Sequence, residues 1–203
     1  MSECRFKRYK RYIKYTLQWL FTERLRGLDF TMRDTHLVAE SNGLLHGYSK
    51  TDESHAKAIF DVLGANASMN LLDIGCGKGA FLREAAKYNF GKIAGLEYVE
   101  ALANIAKENF VRLHLEDRID IFCGDAVNFK SYQDYNVFYF FNPFDKAIMD
   151  KVVKAITKEQ KSKIWIILHN PVCADVVTKY GGKEIKRLFD NIKSYQTIIY
   201  EIN

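Results

Sequence analysis

The residues best suited to chemistry begin with one acid and three glycines: Asp73, Gly75, Gly77 and Gly79. Asp73 sits inside a short apolar run (Leu71, Leu72, Ile74), and helical spacing resumes at Ala80, Phe81, Leu82, Ala85 and Ala86. Strand, glycine turn and helix form the opening of a nucleotide-binding βα unit. Glycine lets the backbone turn sharply and approach a ligand with no Cβ in the way. The helix that starts there aims free N–H groups at the ligand. Two cofactor chemistries use such a turn, and Gly75-Cys76-Gly77-Lys78-Gly79-Ala80 satisfies the dinucleotide pattern G-x-G-x-x-G/A. Asp73 separates them. An acid two residues before the first glycine repels a pyrophosphate and attracts a ligand that carries an ammonium and a sulfonium. A tight turn without a ligand is the plainer alternative.

Three more predicted strand ends carry polar groups, and ligands of parallel sheets sit at such ends. Glu97, followed by Tyr98, closes the second strand. A carboxylate there accepts both ribose hydroxyls, in an NAD site as well as in other nucleoside sites; otherwise it is a solvated acid in a turn. Asp125, in Gly124-Asp125-Ala126, follows the third strand. It suits an adenine amino group, with the neighbouring backbone N–H donating to a ring nitrogen, or it caps the next segment. Asn142-Pro143-Phe144 follows the fourth strand, where the alternative is a strand-terminating turn that caps a helix from 145.

Leu72-Asp73-Ile74-Gly75-Cys76-Gly77-Lys78-Gly79 resembles motif I of the class I, Rossmann-like S-adenosylmethionine-dependent methyltransferases. The resemblance covers about three quarters of the chain. It implies S-adenosyl-L-methionine as cofactor, bound through Asp73, Gly75, Cys76, Gly77, Glu97, Tyr98, Asp125, Ala126 and Asn142. Phe140-Phe141-Asn142-Pro143-Phe144 occupies the place of motif IV. It is similar to the Asn-Pro-Pro-Tyr/Phe signature of amino-methylating enzymes, with one proline fewer. By that likeness Asn142, Pro143 and Phe144 are the catalytic residues. Asn142 orients the acceptor, Phe144 flanks it, and a nitrogen acceptor is slightly favoured. The electrophile arrives already activated, so catalysis is mostly alignment and exclusion of water. No residue has to be a general base, although Asp145, Asp150 and His169 are near enough in sequence to be considered. His169 reads as a packed histidine, and Asn170-Pro171 as a second substrate-side turn.

The elements that must position these groups alternate. Strands are predicted over 70–74, 92–97, 118–123, 135–141 and 163–168, with helices over 79–88, 99–112, 145–158 and 172–180. Two extended runs, 184–189 and 195–202, close the chain as a hairpin. The fold class is α/β: a seven-stranded, mostly parallel, doubly wound sheet with helices on both faces and a C-terminal antiparallel hairpin. A helix over 55–63 with Ser54 as its N-cap and Gly64 as its stop precedes the first strand. By the methyltransferase analogy Tyr48 and Thr51, just before it, are cofactor-lid candidates. The Rossmann-like domain runs from 51 to 203, behind a basic helical N-terminal extension over 1–50.

Residues 3–25 read as a helix whose Phe6, Tyr9, Ile13, Leu17 and Leu20 share one face, widened by Tyr12, Tyr15 and Trp19. This stripe is expected to pack on the main domain. Residues 1–26 hold eight Lys/Arg against Glu3 and Glu23, a net of +6, while the whole chain is at +5. The basicity therefore belongs to one segment, which suits an anionic partner: nucleic acid, a phosphorylated molecule or a membrane surface.

With 203 residues, 48% hydrophobic and 27% charged, the composition is that of an ordinary globular domain. Cys4, Cys76, Cys123 and Cys173 form no C-x-x-C pair, so neither a zinc site nor a disulfide framework is expected. His36 and His46 have no ligand company and read as surface or packing residues. No apolar run approaches the roughly 20 residues of a membrane span, no signal peptide is apparent, and a cytoplasmic location is expected. The rival readings are an NAD-dependent oxidoreductase or dinucleotide-binding domain, and a non-catalytic cofactor- or nucleic-acid-binding module. Asp73 and the closing hairpin weigh against the dinucleotide reading.

Overall fold

Short apolar runs separated by amphipathic helices build one sheet in the computed structural model, which describes residues 13, 17, 19–31, 50–159, 162–190 and 195–203. The strands are β1 (Asn70–Ile74), β2 (Lys92–Glu97), β3 (Asp120–Cys123), β4 (Val137–Phe141), β5 (Ile164–His169), β6 (Lys183–Phe189) and β7 (Gln196–Ile202). Their order across the sheet is β3-β2-β1-β4-β5-β7-β6. β1 to β5 pair in parallel, and β7 runs antiparallel to both β5 and β6. This is the fold class the sequence predicts, with one refinement. β7, the last strand, inserts beside β5, and β6 is left at the edge. Lys183, Lys186 and Arg187 are exposed along β6, and such cations discourage pairing with a further strand.

Among the described residues, five helices cover the sheet: α1 (Glu53–Leu63), α2 (Ala80–Ala85), α3 (Glu100–Arg112), α4 (Lys146–Glu159) and α5 (Ala174–Lys179). Alternate residues of the central strands feed opposite faces, as the two-residue period of a strand requires. Leu72, Phe138, Phe140 and Ile166 pack with Val152 and Ile156 of α4 and Val176 and Val177 of α5. Leu71, Tyr139 and Ile167 pack with Ile59 and Phe60 of α1, Phe81 of α2 and Phe110 of α3. The connections reverse direction between β1 and β4, and this opens a crevice at their carboxyl ends.

The N-cap of α1 is Asp52, not Ser54. One Asp52 carboxylate oxygen accepts both the N–H and the hydroxyl of Ser54, so the carboxylate outcompetes the serine for the helix end. Gly64 ends the helix in the left-handed region, as expected.

The N-terminal segment departs further from expectation. Trp19–Glu23 form a π-helical turn and Arg24–Arg26 a 3-10 turn, closed by Gly27 at φ 68°. Ile13, Leu17 and Leu20 are exposed, so these members of the predicted stripe do not pack on the domain. The attachment is made by the next few residues. Leu28 and Phe30 enter the core, and the buried Glu23 carboxylate accepts the N–H groups of Phe30 and Thr31 and the Thr31 hydroxyl. Residues 3–12, His36, His46, Tyr48, residues 191–194 and the side chains of Tyr15 and Trp19 lie outside the described residues.

Candidate functional site

Gly75, Gly77 and Gly79 all hold positive φ, at 83°, 54° and 83°. The turn is tied to the neighbouring strand, because the N–H groups of Gly75 and Cys76 both donate to the Leu96 carbonyl. A Cβ on Gly75 would lie 2.8 Å from the Pro143 Cβ. The glycine turn after β1 and the Asn-Pro-Phe turn after β4 therefore touch, and only glycine permits the approach. Gly95 on β2 makes room in a similar way for Cys76, whose Sγ would stand 2.6 Å from an added Cβ. Burial pushes the Cys76 thiol well above its usual pKa, and nearby Asp73 and Glu97 add to the effect.

Asp73 and Glu97 both lie buried beside this turn, 3% and 6% exposed. The parallel register sets Asp73 between Gly95 of β2 and Tyr139 of β4, on the face toward α1, α2 and α3. Burial raises the pKa of Asp73 well above the ordinary carboxyl value, and the Glu97 charge raises it further. Glu97 is also raised by burial, opposed in part by backbone donors. Its Oε2 accepts the Gly77 N–H at 2.8 Å and its Oε1 accepts the Val99 N–H at 2.9 Å. A carboxylate offers about four lone-pair positions, so two bonds fix its orientation and leave the others for a ligand.

Lys78, in the middle of the glycine turn, does not neutralise this pair. Its fully buried ammonium lies 2.6 Å from the Asp29 carboxylate. Asp29 is held in turn by Asn109 of α3, which accepts the Asp29 N–H and donates to the Asp29 carbonyl and, at 3.2 Å, to the Lys78 carbonyl. The turn's own cation thus anchors the N-terminal segment, where a phosphate-binding loop would aim it at its ligand. Two buried acids next to left-handed glycines fit a cationic nucleoside and disfavour a diphosphate.

Of the predicted cofactor residues after β2 and β3, Tyr98 and Asp125 reach the surface and Ala126 does not. Tyr98 is exposed. Asp125 is exposed and caps the 3-10 turn Ala126–Asn128, with Oδ1 accepting the Val127 N–H and Oδ2 the Asn128 side-chain amide. Ala126 is buried, and its carbonyl accepts the Tyr132 hydroxyl. Glu97 and Gly124 are linked through the Gly124 N–H. The structure therefore brings Asp73, Cys76 and Glu97 together, and Asp125 stands beside them as a capping residue at the surface.

On the acceptor side, Asn142 and Asn170 adopt φ of 42° and 55°. Each precedes a proline, which disfavours the right-handed helical region for the residue before it. Asparagine tolerates the left-handed region best among non-glycine residues, at a cost of about 1 kcal/mol or more. Together with Pro143, Pro171 and Phe144 they line a half-open hollow between the ends of β4 and β5. Phe144 is itself buried in the core that α4 covers. Asp145 caps α4 through the Ile148 N–H, and Asp150 pairs with Lys179, so both acids are occupied structurally.

A buried polar row was missed in the sequence. Register places Phe141, His169 and Thr197 side by side on β4, β5 and β7. Thr197 Oγ1 lies 2.7 Å from His169 Nδ1 and 2.7 Å from His55 Nε2 of α1. His169 Nε2 stands 3.5 Å from an Asp190 carboxyl oxygen. One proton order leaves no lone pair facing that carboxyl: His55 Nε2–H donates to Thr197, Thr197 donates to His169 Nδ1, and His169 Nε2–H faces Asp190. Phe141 and Tyr195 meet the His169 ring edge-on. Thr51 belongs to the same face. It is buried against the Tyr139 hydroxyl at 2.8 Å, so it serves as a core anchor and not as a lid. His169 after an apolar run was the available signal, but its partners lie on three other elements.

A family model described as a methyltransferase domain matches residues 65–189. A stretch of 74 residues is 30% identical to the 24-methylenesterol C-methyltransferase 2 of Oryza sativa subsp. japonica, covering 36% of this chain and 20% of that protein. The chain thus spans about a fifth of the length of the curated relative it matches. Among solved structures, the M1A22 tRNA methyltransferase of B. subtilis superposes with a TM-score of 0.62 at 15% identity, over 77% of this chain and 67% of that one. An RNA methyltransferase from Salinibacter ruber, solved in complex with S-adenosyl-L-homocysteine, gives 0.57 at 13% identity, over 75% and 92%.

Proposed function

The chain belongs to the methyltransferase domain family, and from that premise we propose that it is an S-adenosyl-L-methionine-dependent methyltransferase whose cofactor lies over the glycine turn. The buried pair Asp73 and Glu97 carries the reading, since two acids with raised pKa and no cation between them among the described residues call for a cationic ligand. When bound, S-adenosyl-L-methionine supplies a methyl group already activated by a positive sulfur. Asp73 provides negative charge for the ligand's cations. Glu97, fixed by the Gly77 and Val99 N–H groups, keeps lone pairs for the ribose hydroxyls. Gly75, Cys76 and Gly77 let the backbone pass close beneath the ligand, and Tyr98, Asp125 and Ala126 edge the adenine side.

Asn142, Pro143 and Phe144 form the acceptor wall. Pro143 packs on Gly75, so this wall and the cofactor cradle are in direct contact. The transfer then rests on alignment and exclusion of water. The Asn-Pro-Phe triplet favours a nucleophilic nitrogen as acceptor. The buried thiols Cys76 and Cys173 suit a reducing, cytoplasmic setting.

Calorimetry with S-adenosyl-L-homocysteine tests the proposal. Binding is expected, with loss of about tenfold or more in affinity for Glu97→Ala. Absence of binding, or affinity untouched by Glu97→Ala, rejects it. Incubating extract fractions with methyl-labelled cofactor then reads the acceptor, and label on carbon or oxygen alone overturns the nitrogen assignment.

A further inference from the structure

The N-terminal segment carries a second surface that the methyl-transfer site does not use. Ile13, Leu17, Leu20, Phe21 and Leu25 are 41%, 50%, 41%, 64% and 79% exposed. Five large apolar side chains within 13 residues are thus left in water, where apolar surface is unfavourable. Arg24 and Arg26 are exposed beside them. The chain just ahead of these residues contributes Arg5, Lys7, Arg8, Lys10, Arg11 and Lys14.

Immediately after this surface the chain is fastened down. Glu23 grips Phe30 and Thr31, Arg83 lies over the Phe30 ring at 4.6 Å, and Asp29 is paired with Lys78. The apolar residues are therefore presented outward from a rigid base. Aliphatic side chains set among cations are the signature of a segment lying in a membrane interface. A nucleic acid would use the cations and stack on aromatics, but it would gain nothing from Ile13, Leu17, Leu20 and Leu25. A second copy would bring two segments of net +6 together. No helix among the described residues is long and apolar enough to cross a membrane.

We propose that the segment containing Ile13, Leu17, Leu20, Phe21 and Leu25 docks the protein on an anionic lipid bilayer surface, with its apolar side chains at the acyl boundary and its Lys and Arg at the headgroups. Each basic residue near such a surface strengthens binding about fivefold. This proposal stands apart from the methyl-transfer reading, because it uses none of the residues assigned to the glycine turn or the acceptor wall.

Flotation of the full chain with vesicles tests it. Phosphatidylcholine vesicles containing phosphatidylserine should carry the protein and pure phosphatidylcholine vesicles should not. Added salt should weaken the binding. The double variant Phe21→Glu, Leu25→Glu should lose about tenfold or more in partitioning, with melting temperature and S-adenosyl-L-homocysteine affinity unchanged. Equal partitioning onto neutral and anionic vesicles, or none onto either, overturns the proposal. So does loss of RNA binding, or of a dimer seen by light scattering, in the same double variant with vesicle binding retained.

Discussion

Asp73 and Glu97 are placed at a cost to the free protein. A carboxyl whose folded pKa stands above its unfolded value binds more protons in the fold, so stability declines as pH rises past the unfolded value. Asp73 is such a group: burial and the Glu97 charge hold it well above the ordinary range. Asp73→Asn removes the charge and keeps the shape. We expect the free variant to melt at the same temperature or higher near neutral pH, while its affinity for S-adenosyl-L-homocysteine falls about tenfold or more. Thermal melts with and without ligand check both halves. A variant that melts lower and binds equally well would make Asp73 a structural acid. Residues of this kind break local rules of stability where a ligand is meant to repay them.

Turns do the positioning at the scale of elements. The β1–α2 turn and the turn after β4 meet at Gly75 and Pro143, so cofactor side and acceptor side are set by one contact. Gly75→Ala adds a Cβ 2.8 Å from the Pro143 Cβ, at φ 83°. It is expected to destabilise the fold by about 1–3 kcal/mol, read by denaturant unfolding, and to weaken S-adenosyl-L-homocysteine binding in calorimetry. Unchanged stability would mean that the Pro143 turn yields freely and does not register the two sides. Asn142 and Asn170 show the same economy: each lets a strand end in a left-handed residue before a proline, where a branched side chain would be strained.

Across the whole molecule, the His55–Thr197–His169 row ties α1 to β5 and β7, with Asp190 after β6 facing it. Burial, and then the neighbouring His55 ring, push His169 down to about 3. His55 is lowered as well, by burial, with Asp52 opposing. An unfolded histidine titrates near about 6.5. Between that value and 3 the unfolded chain takes up a proton that the folded His169 refuses, so stability falls as pH falls through this window. Denaturant unfolding across pH should show a slope of roughly 1 kcal/mol per pH unit from His169, and His169→Gln should remove it. A pH-independent difference between the two proteins would refute the neutral, buried assignment.

Local chemistry determined much of this protein. The alternation of apolar runs and helices, the glycine turn behind Asp73, Glu97 at the next strand end, and the Asn142-Pro143 turn are all written in short stretches, because strand, turn and helix signals act over a few residues. Contacts between distant stretches were decided only by tertiary structure. Register alone put His169 beside Thr197, and sheet order brought α1 over both, so the row from His55 to Asp190 has no local signature. Lys78 sits inside the glycine turn in sequence, and only the tertiary structure sets Asp29, 49 residues away, against it. The periodic stripe at Ile13, Leu17 and Leu20 marks a face that avoids water, but periodicity does not say what covers it. The fold attaches its N-terminal segment through Leu28 and Phe30 and leaves that face outside.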